Sequence, residues 1–196
     1  MKKMFTTRKV FSGMMFVLMM VVAPAVFAQT YSLNNDQSEV TIFGTSNIHD
    51  WEITVEQQQG SMTLEEGETP VLKAMEITIP VKGLKSGKSG MDKNTYKAMN
   101  ADEYQNVTFK LTSPATLEAA GNGNYKATAK GELTISGVTK ATDLIFTLKN
   151  NGSTVELEGE KTLDMTTYNI EPPTALMGTI TTGKDVTLKF KTILTK

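Results

Sequence analysis

Apolar and polar residues alternate singly along most of the chain from Val40 onward. Trp51, Ile53 and Val55 alternate with Glu52, Thr54 and Glu56, and Met75, Ile77, Ile79 and Val81 with Glu76, Thr78 and Pro80. Val107, Phe109 and Leu111 follow the same rule, as do Leu133 and Ile135, Leu144, Phe146 and Leu148, Val155 and Leu157, and Val186, Leu188 and Phe190. A repeat of two residues is the mark of strands with one apolar face and one wet face, as in antiparallel sheets. Gly121-Asn122-Gly123-Asn124, Ser136-Gly137 and Asn150-Asn151-Gly152 supply the positive-φ residues of hairpin turns. They predict a meander of segments near 107–119, 125–135, 138–148 and 154–164.

One helical candidate interrupts the strands, Met91 to Ala101, where Ser89-Gly-Met-Asp92 resembles a capping box and Met91, Ala98 and Met99 form a short apolar stripe. It reads either as a connection packed on the rim or as a lid at a mouth. So little helix cannot cover the apolar face of so many strands. Closing the sheet on itself hides that face and removes the free edges. The predicted fold is all-β, an extended antiparallel β-barrel of about eight strands with one short helical excursion.

The first residues stand apart from this pattern. Lys2, Lys3, Arg8 and Lys9 precede an apolar run from Val10 to Phe27, and Val26-Phe27-Ala28 suits a cleavage site. Residues 1–28 are read as a cleaved secretory signal and 29–196 as a single barrel domain, with an uncleaved anchor as the alternative. The mature chain then holds 16 basic and 21 acidic residues, a net charge of −5. The expected location is the periplasm or the medium, without stable membrane insertion.

Composition narrows the chemistry. With no cysteine there are no disulfides, thiolate nucleophiles or cysteine-held metals, and one histidine makes a poor metal centre. An acidic mature chain does not suit nucleic acid, which requires a basic face. No cofactor and no catalytic residue is expected. An enzyme would need two carboxylates on the inward parity, whereas most acidic residues fall on the polar one.

An eight-stranded interior is either filled by side chains or just wide enough for one small ligand. Ten aromatics remain after the signal, with small residues at Ala127, Ala129 and Gly131 and soft methionines at Met62, Met75, Met165 and Met177. That favours an apolar tunnel for a long hydrocarbon. A solid-core structural or interaction module of the cell envelope is the rival, and a continuous cavity of several hundred Å³ would separate the two, since small-molecule sites commonly fall in that range. An outer-membrane barrel is disfavoured, because it needs two aromatic girdles and a polar lumen.

Ser46-Asn47-Ile48-His49-Asp50-Trp51, Leu84-Lys85-Ser86-Gly87, Met91-Asp92 and Lys97-Ala98-Met99-Asn100-Ala101 occur in order along the chain. Gly131-Glu-Leu-Thr-Ile-Ser-Gly137-Val-Thr-Lys140 and Met165-Thr-Thr-Tyr168-Asn-Ile170-Glu-Pro172-Pro173 follow them. The ordered set resembles the YceI-like family of polyisoprenoid-binding, exported bacterial proteins. The resemblance implies a lipocalin-like barrel holding an isoprenoid, quinone-like or fatty-acid-derived lipid, for carriage, storage or envelope stress protection. The chain departs from the family where Gln105, rather than proline, follows Tyr104, which questions a rigid lead-in to the next strand. Monomer and homodimer are equally compatible with the sequence.

Alternation assigns the ligand lining to Trp51, Ile53, Val55, Met75, Ile77, Ile79, Phe109, Leu111, Leu133, Phe146, Met165 and Met177. Trp51 reads equally as a core anchor. His49, Asp92, Lys97 and Tyr104 are candidates for a headgroup at the mouth, with Asp92 as a helix cap and Lys97 as a solvated charge in the alternative. Ser46, His49 and Asp50 invite a hydrolytic triad, but side chains of one tight loop rarely reach that geometry, and a histidine bonded within its turn is the simpler reading. Gly83-Leu-Lys-Ser-Gly87-Lys-Ser-Gly90 lacks the spacing of a phosphate loop.

Overall fold

The computed structural model describes residues 28–196, so the secretory-signal reading, apart from Ala28, lies outside the described residues. No described helix is long and apolar enough to cross a membrane. Fourteen strands follow one another: β1 Ala28–Leu33, β2 Glu39–Ser46, β3 Trp51–Val55, β4 Gln59–Glu65, β5 Val71–Pro80, β6 Leu84–Lys85 and β7 Asn106–Leu111 come first. Next are β8 Ala115–Thr116, β9 Glu118–Gly121, β10 Asn124–Ile135, β11 Val138–Asn150, β12 Thr154–Asp164, β13 Thr174–Ala175 and β14 Ile180–Thr195. Helix α1, Ser89–Ala98, separates β6 from β7.

Hydrogen bonding runs β1-β4-β5-β7-β10-β11-β12-β14 and returns to β1 through Ser32–Thr195 and Leu33–Leu194, all antiparallel. β2 and β3 extend the same two positions, β2 pairing with β14 and β3 with β2. The closed barrel therefore has eight staves, two of them made of consecutive strands, β1 with β2 and β3 with β4. Asn35, in the turn between β1 and β2, stitches both joints together. Its Nδ2 donates to the Glu56 carbonyl at 3.1 Å and its Oδ1 accepts from the Gln58 amide at 2.8 Å.

The meander forms with its hairpins where Gly and Asn place them. β10 and β11 pair from Asn124–Lys149 to Ile135–Val138, joined by Ser136 and Gly137 at φ 48° and 75°, the left-handed pair of a type I′ turn. The segment predicted as one strand over 107–119 breaks into β7, β8 and β9 around Ser113-Pro114, since proline has no amide for the ladder. Helix α1 starts at Ser89, two residues before the predicted start, and ends at Ala98. Its N-cap, Lys88, makes no side-chain cap, so there is no capping box. The Asp92 carboxylate reaches back instead to the amide and hydroxyl of Ser86, at 2.8 and 2.6 Å, and these bonds hold its pKa below the ordinary value.

With no proline after Tyr104, the lead-in to β7 is held another way. The Val81 amide donates to the Gln105 carbonyl at 2.8 Å, and the Tyr104 ring packs against Gly137.

Candidate functional site

The inner faces of the eight staves are filled at one end of the barrel and empty at the other. At the filled end Tyr31, Met62, Leu64, Leu72, Leu117, Leu148, Val155 and Leu194 are all 2% exposed or less. Fully burying side chains of this kind contributes about 1.5–3 kcal/mol each. The Tyr31 hydroxyl donates to the Gly152 carbonyl at 3.2 Å, tying this end to the β11–β12 turn. One or two inward positions further along each stave the side chains no longer meet, and a cavity of about 720 Å³ opens.

Its floor can be read stave by stave. The last cavity-lining residue before the plug is Val40, Gln58, Met75 or Phe109 on the first four staves. On the other four it is Leu133, Phe146, Leu157 or Thr192. Phe146 and Phe190 meet edge to face, with ring centroids 6.4 Å apart. Glycines let the aromatic rings lie flat on the sheet. Gly131 sits beneath the Phe109 ring and Gly159 beneath that of Phe190, where a Cβ would come within 2.6 and 2.8 Å of ring carbons.

The open end is ringed by three segments. Gly90, Met91, Asn94, Thr95, Ala98 and Met99 present one side of α1 to the cavity. Tyr96 anchors that helix from its other side, donating its hydroxyl to the Leu84 carbonyl at 2.9 Å and accepting from Lys85 Nζ at 2.9 Å. Ser136 Oγ donates to the Met99 carbonyl at 3.0 Å at the helix end. The loop Ser46–Asp50 and the β13–β14 hairpin complete the ring and are bound together by Asn47. Its Nδ2 donates to the Thr179 carbonyl at 2.9 Å and its Oδ1 accepts from the Thr181 amide at 3.0 Å. Three of the exposed large apolar side chains, Ile48, Leu176 and Met177, sit on these two segments.

Charge on the wall has one sign. Lys88, Lys93 and Lys161 line the cavity, together with His49, and no aspartate or glutamate does so among the described residues. The paired inward carboxylates that an acid–base enzyme would use are therefore not present on this wall. Among the described residues no group of three or more histidine, cysteine, aspartate or glutamate side chains is placed to hold a metal ion.

Of the twelve residues that alternation assigned to the lining, Trp51, Ile53, Met75, Ile77, Ile79, Phe109, Leu133, Phe146 and Met165 face the cavity. Val55 is buried in the cluster that also holds Val81 and Leu84 and does not line the cavity, and Leu111 packs against the main core below the floor. Met177 is fully exposed at the tip of the β13–β14 hairpin, because that segment is a turn with left-handed backbone at Leu176 and Met177. Ala127 and Ala129 do not create the open volume. They are buried in the filled half, within the same core as Tyr31 and Leu72.

Among the candidate mouth residues only His49 lines the cavity. Its Nδ1 lies 2.9 Å from the Asp50 main-chain carbonyl, and Ser46 Oγ donates to the carbonyl of His49 rather than to its ring. No triad forms. Asp92 is turned to Ser86 outside the cavity, Lys97 is solvated, and Tyr104 is spent on Gly137.

Sequence reasoning missed Gln58. Two exposed residues, Glu56 and Gln57, follow inward-facing Val55, and the Asn35 clamp then turns Gln58 into the barrel at 6% exposure. Its Nε2 is enclosed with no hydrogen-bond partner. Thr192 is the other buried polar residue of the floor, also 6% exposed.

The barrel has known relatives in shape. It superposes on the crystal structure of BcnA from Burkholderia cenocepacia with a TM-score of 0.65, at 18% identity over 82% of this chain and 98% of that one. A polyisoprenoid-binding domain from Saccharophagus degradans, implicated in plant cell wall breakdown, gives 0.63 at 12% identity, over 84% and 97% of the two chains. At these identities the likeness establishes the fold. No curated relative matches the sequence. The model of the YceI-like domain matches residues 31–194, nearly the whole described barrel, and the chain belongs to the YceI-like family.

Proposed function

We propose that the protein is an exported carrier or store for a long-chain amphiphile, a polyisoprenoid or a similar lipid, whose hydrocarbon occupies the half-hollow barrel. The single observation that carries this reading is the blind apolar cavity of about 720 Å³, within the span of small-molecule sites. Each methylene moved from water to such a wall is worth about 0.8 kcal/mol, roughly fourfold in affinity. Affinity should then climb with chain length until the cavity is full.

The mouth supports the same reading. Ile48, Leu176 and Met177 offer apolar side chains beside the opening, suited to meeting a lipid surface during transfer. An acidic group left projecting would find Lys88 and Lys93. The outer face of the strands carries threonine, lysine and glutamate, the inverse of a membrane-spanning barrel. Export rests on the character of residues 1–28.

Trp51 provides the test, being the single tryptophan of the chain and part of the cavity wall. Titrating lipid-stripped protein with isoprenoid alcohols of increasing length should shift its emission saturably, at concentrations that fall as the chain grows. Emission that stays fixed across the series would overturn the proposal.

A further inference from the structure

The tip of the β13–β14 hairpin gives up two things that turns normally keep. Leu176 is 71% exposed and Met177 fully so, and both hold left-handed backbone, at φ 48° and 54°. That region is easy for glycine and asparagine and costly for larger side chains. Large apolar residues kept at such positions, in solvent, point to a use for the side chains they display. Ile48, 57% exposed, is fastened beside them, because Asn47 bonds both the Thr179 carbonyl and the Thr181 amide. We infer that Ile48, Leu176 and Met177 form a docking surface for a lipid bilayer. Their side chains enter its apolar region, so that lipid passes between bilayer and barrel on contact, without crossing water.

Position and charge select a bilayer. Ile48 lines the cavity, as do Thr174, Ala175 and Ile180 at the base of the hairpin, so the apolar wall continues out of the mouth toward the tip. None of the residues between Glu171 and Lys184 is charged, so the hairpin can enter an apolar phase without desolvating an ion. On the α1 side of the same opening the charged wall residues are Lys88 and Lys93, suited to headgroup phosphates. Asp92 is turned away toward Ser86. Protein interfaces are commonly anchored by aromatic residues and arginine, and the hairpin between Glu171 and Lys184 contains neither. A tail leaving through water would forfeit roughly fourfold in equilibrium for each methylene wetted, which contact with a bilayer avoids.

This inference rests on the lipid-binding reading, and the experiment separates the two. Lipid-stripped protein is loaded with a fluorescent long-chain fatty acid. Its transfer to phosphatidylethanolamine–phosphatidylglycerol vesicles carrying a quencher is followed by stopped flow. The wild-type rate should rise in proportion to vesicle concentration, the mark of transfer on contact. The double variant Leu176→Asn, Met177→Gly places residues at ease with left-handed backbone, so the hairpin is kept while its apolar tip is lost. Its affinity for the fatty acid in buffer should match wild type, and its transfer rate should fall by about tenfold or more. A rate that ignores vesicle concentration, or that is equal in the two proteins, overturns the docking surface and leaves lipid binding intact. Loaded wild type that transfers nothing to protein-free vesicles overturns the bilayer as partner, in favour of a protein acceptor. Failure of wild type to take up the fatty acid overturns both readings.

Discussion

The indole of Trp51 lies across Gly44, its cross-strand partner, so closely that a methyl group on Gly44 would overlap the ring. The ring is also fixed beside this contact, where Nε1 donates to the Thr45 carbonyl at 3.0 Å. One glycine thus decides how a wall of the cavity stands. Gly44→Ala is expected to tilt the indole off the sheet at a cost of about 1–3 kcal/mol. Its tryptophan emission should shift in the ligand-free state, and lipid affinity should fall.

The two halves of the barrel should respond oppositely to substitution. Leu148 is fully buried in the plug, so Leu148→Ala should cost about 2–5 kcal/mol and leave lipid binding largely unchanged. Leu188 is half-buried on the cavity wall, where open volume can take a larger side chain. Leu188→Trp should keep or raise the melting temperature while displacing ligand. Thermal unfolding and bound-lipid content, measured on both variants, check the contrast.

Acid should loosen the junction between β12 and β14. Asp164 accepts from Lys184 Nζ at 2.7 Å and from the hydroxyl and amide of Thr166 at 2.6 and 2.9 Å. Led by the Lys184 contact, these bonds lower its pKa to about 2. The unfolded carboxylate titrates near 3.9, so the stabilisation is complete above that value and is lost as pH falls toward about 2. Asp164→Asn should remove this part of the acid dependence, leaving a flatter stability curve below pH ~4 than wild type shows.

Much of this architecture can be read from the residues themselves. Two-residue alternation and the Asn–Gly turns mark β10, β11 and β12 to within two residues, and the impossibility of covering so much apolar face with helix forces closure. Where the cavity ends is harder to see, because it depends on register between distant strands. Leu111 carries the same inward parity as its lining neighbours and differs only in height along the barrel, whereas Val55 has that parity but is covered within the cluster of Val81 and Leu84. Gln58 is harder still. It stands in the polar run Glu56-Gln57-Gln58-Gln59, which reads as an ordinary connection, and only the side chain of Asn35, 23 positions earlier, selects which glutamine turns inward. Met177 fails for the opposite reason, its apolar character suggesting burial where a left-handed turn carries it into solvent.

The most direct measurement is mass spectrometry of an organic extract from protein purified natively, without detergent. The account predicts one long-chain lipid per barrel, released by the solvent and lost from the Leu188→Trp variant. Wild-type protein whose cavity yields no lipid, and which takes up none when isoprenoid or fatty-acid derivatives are supplied, would contradict it.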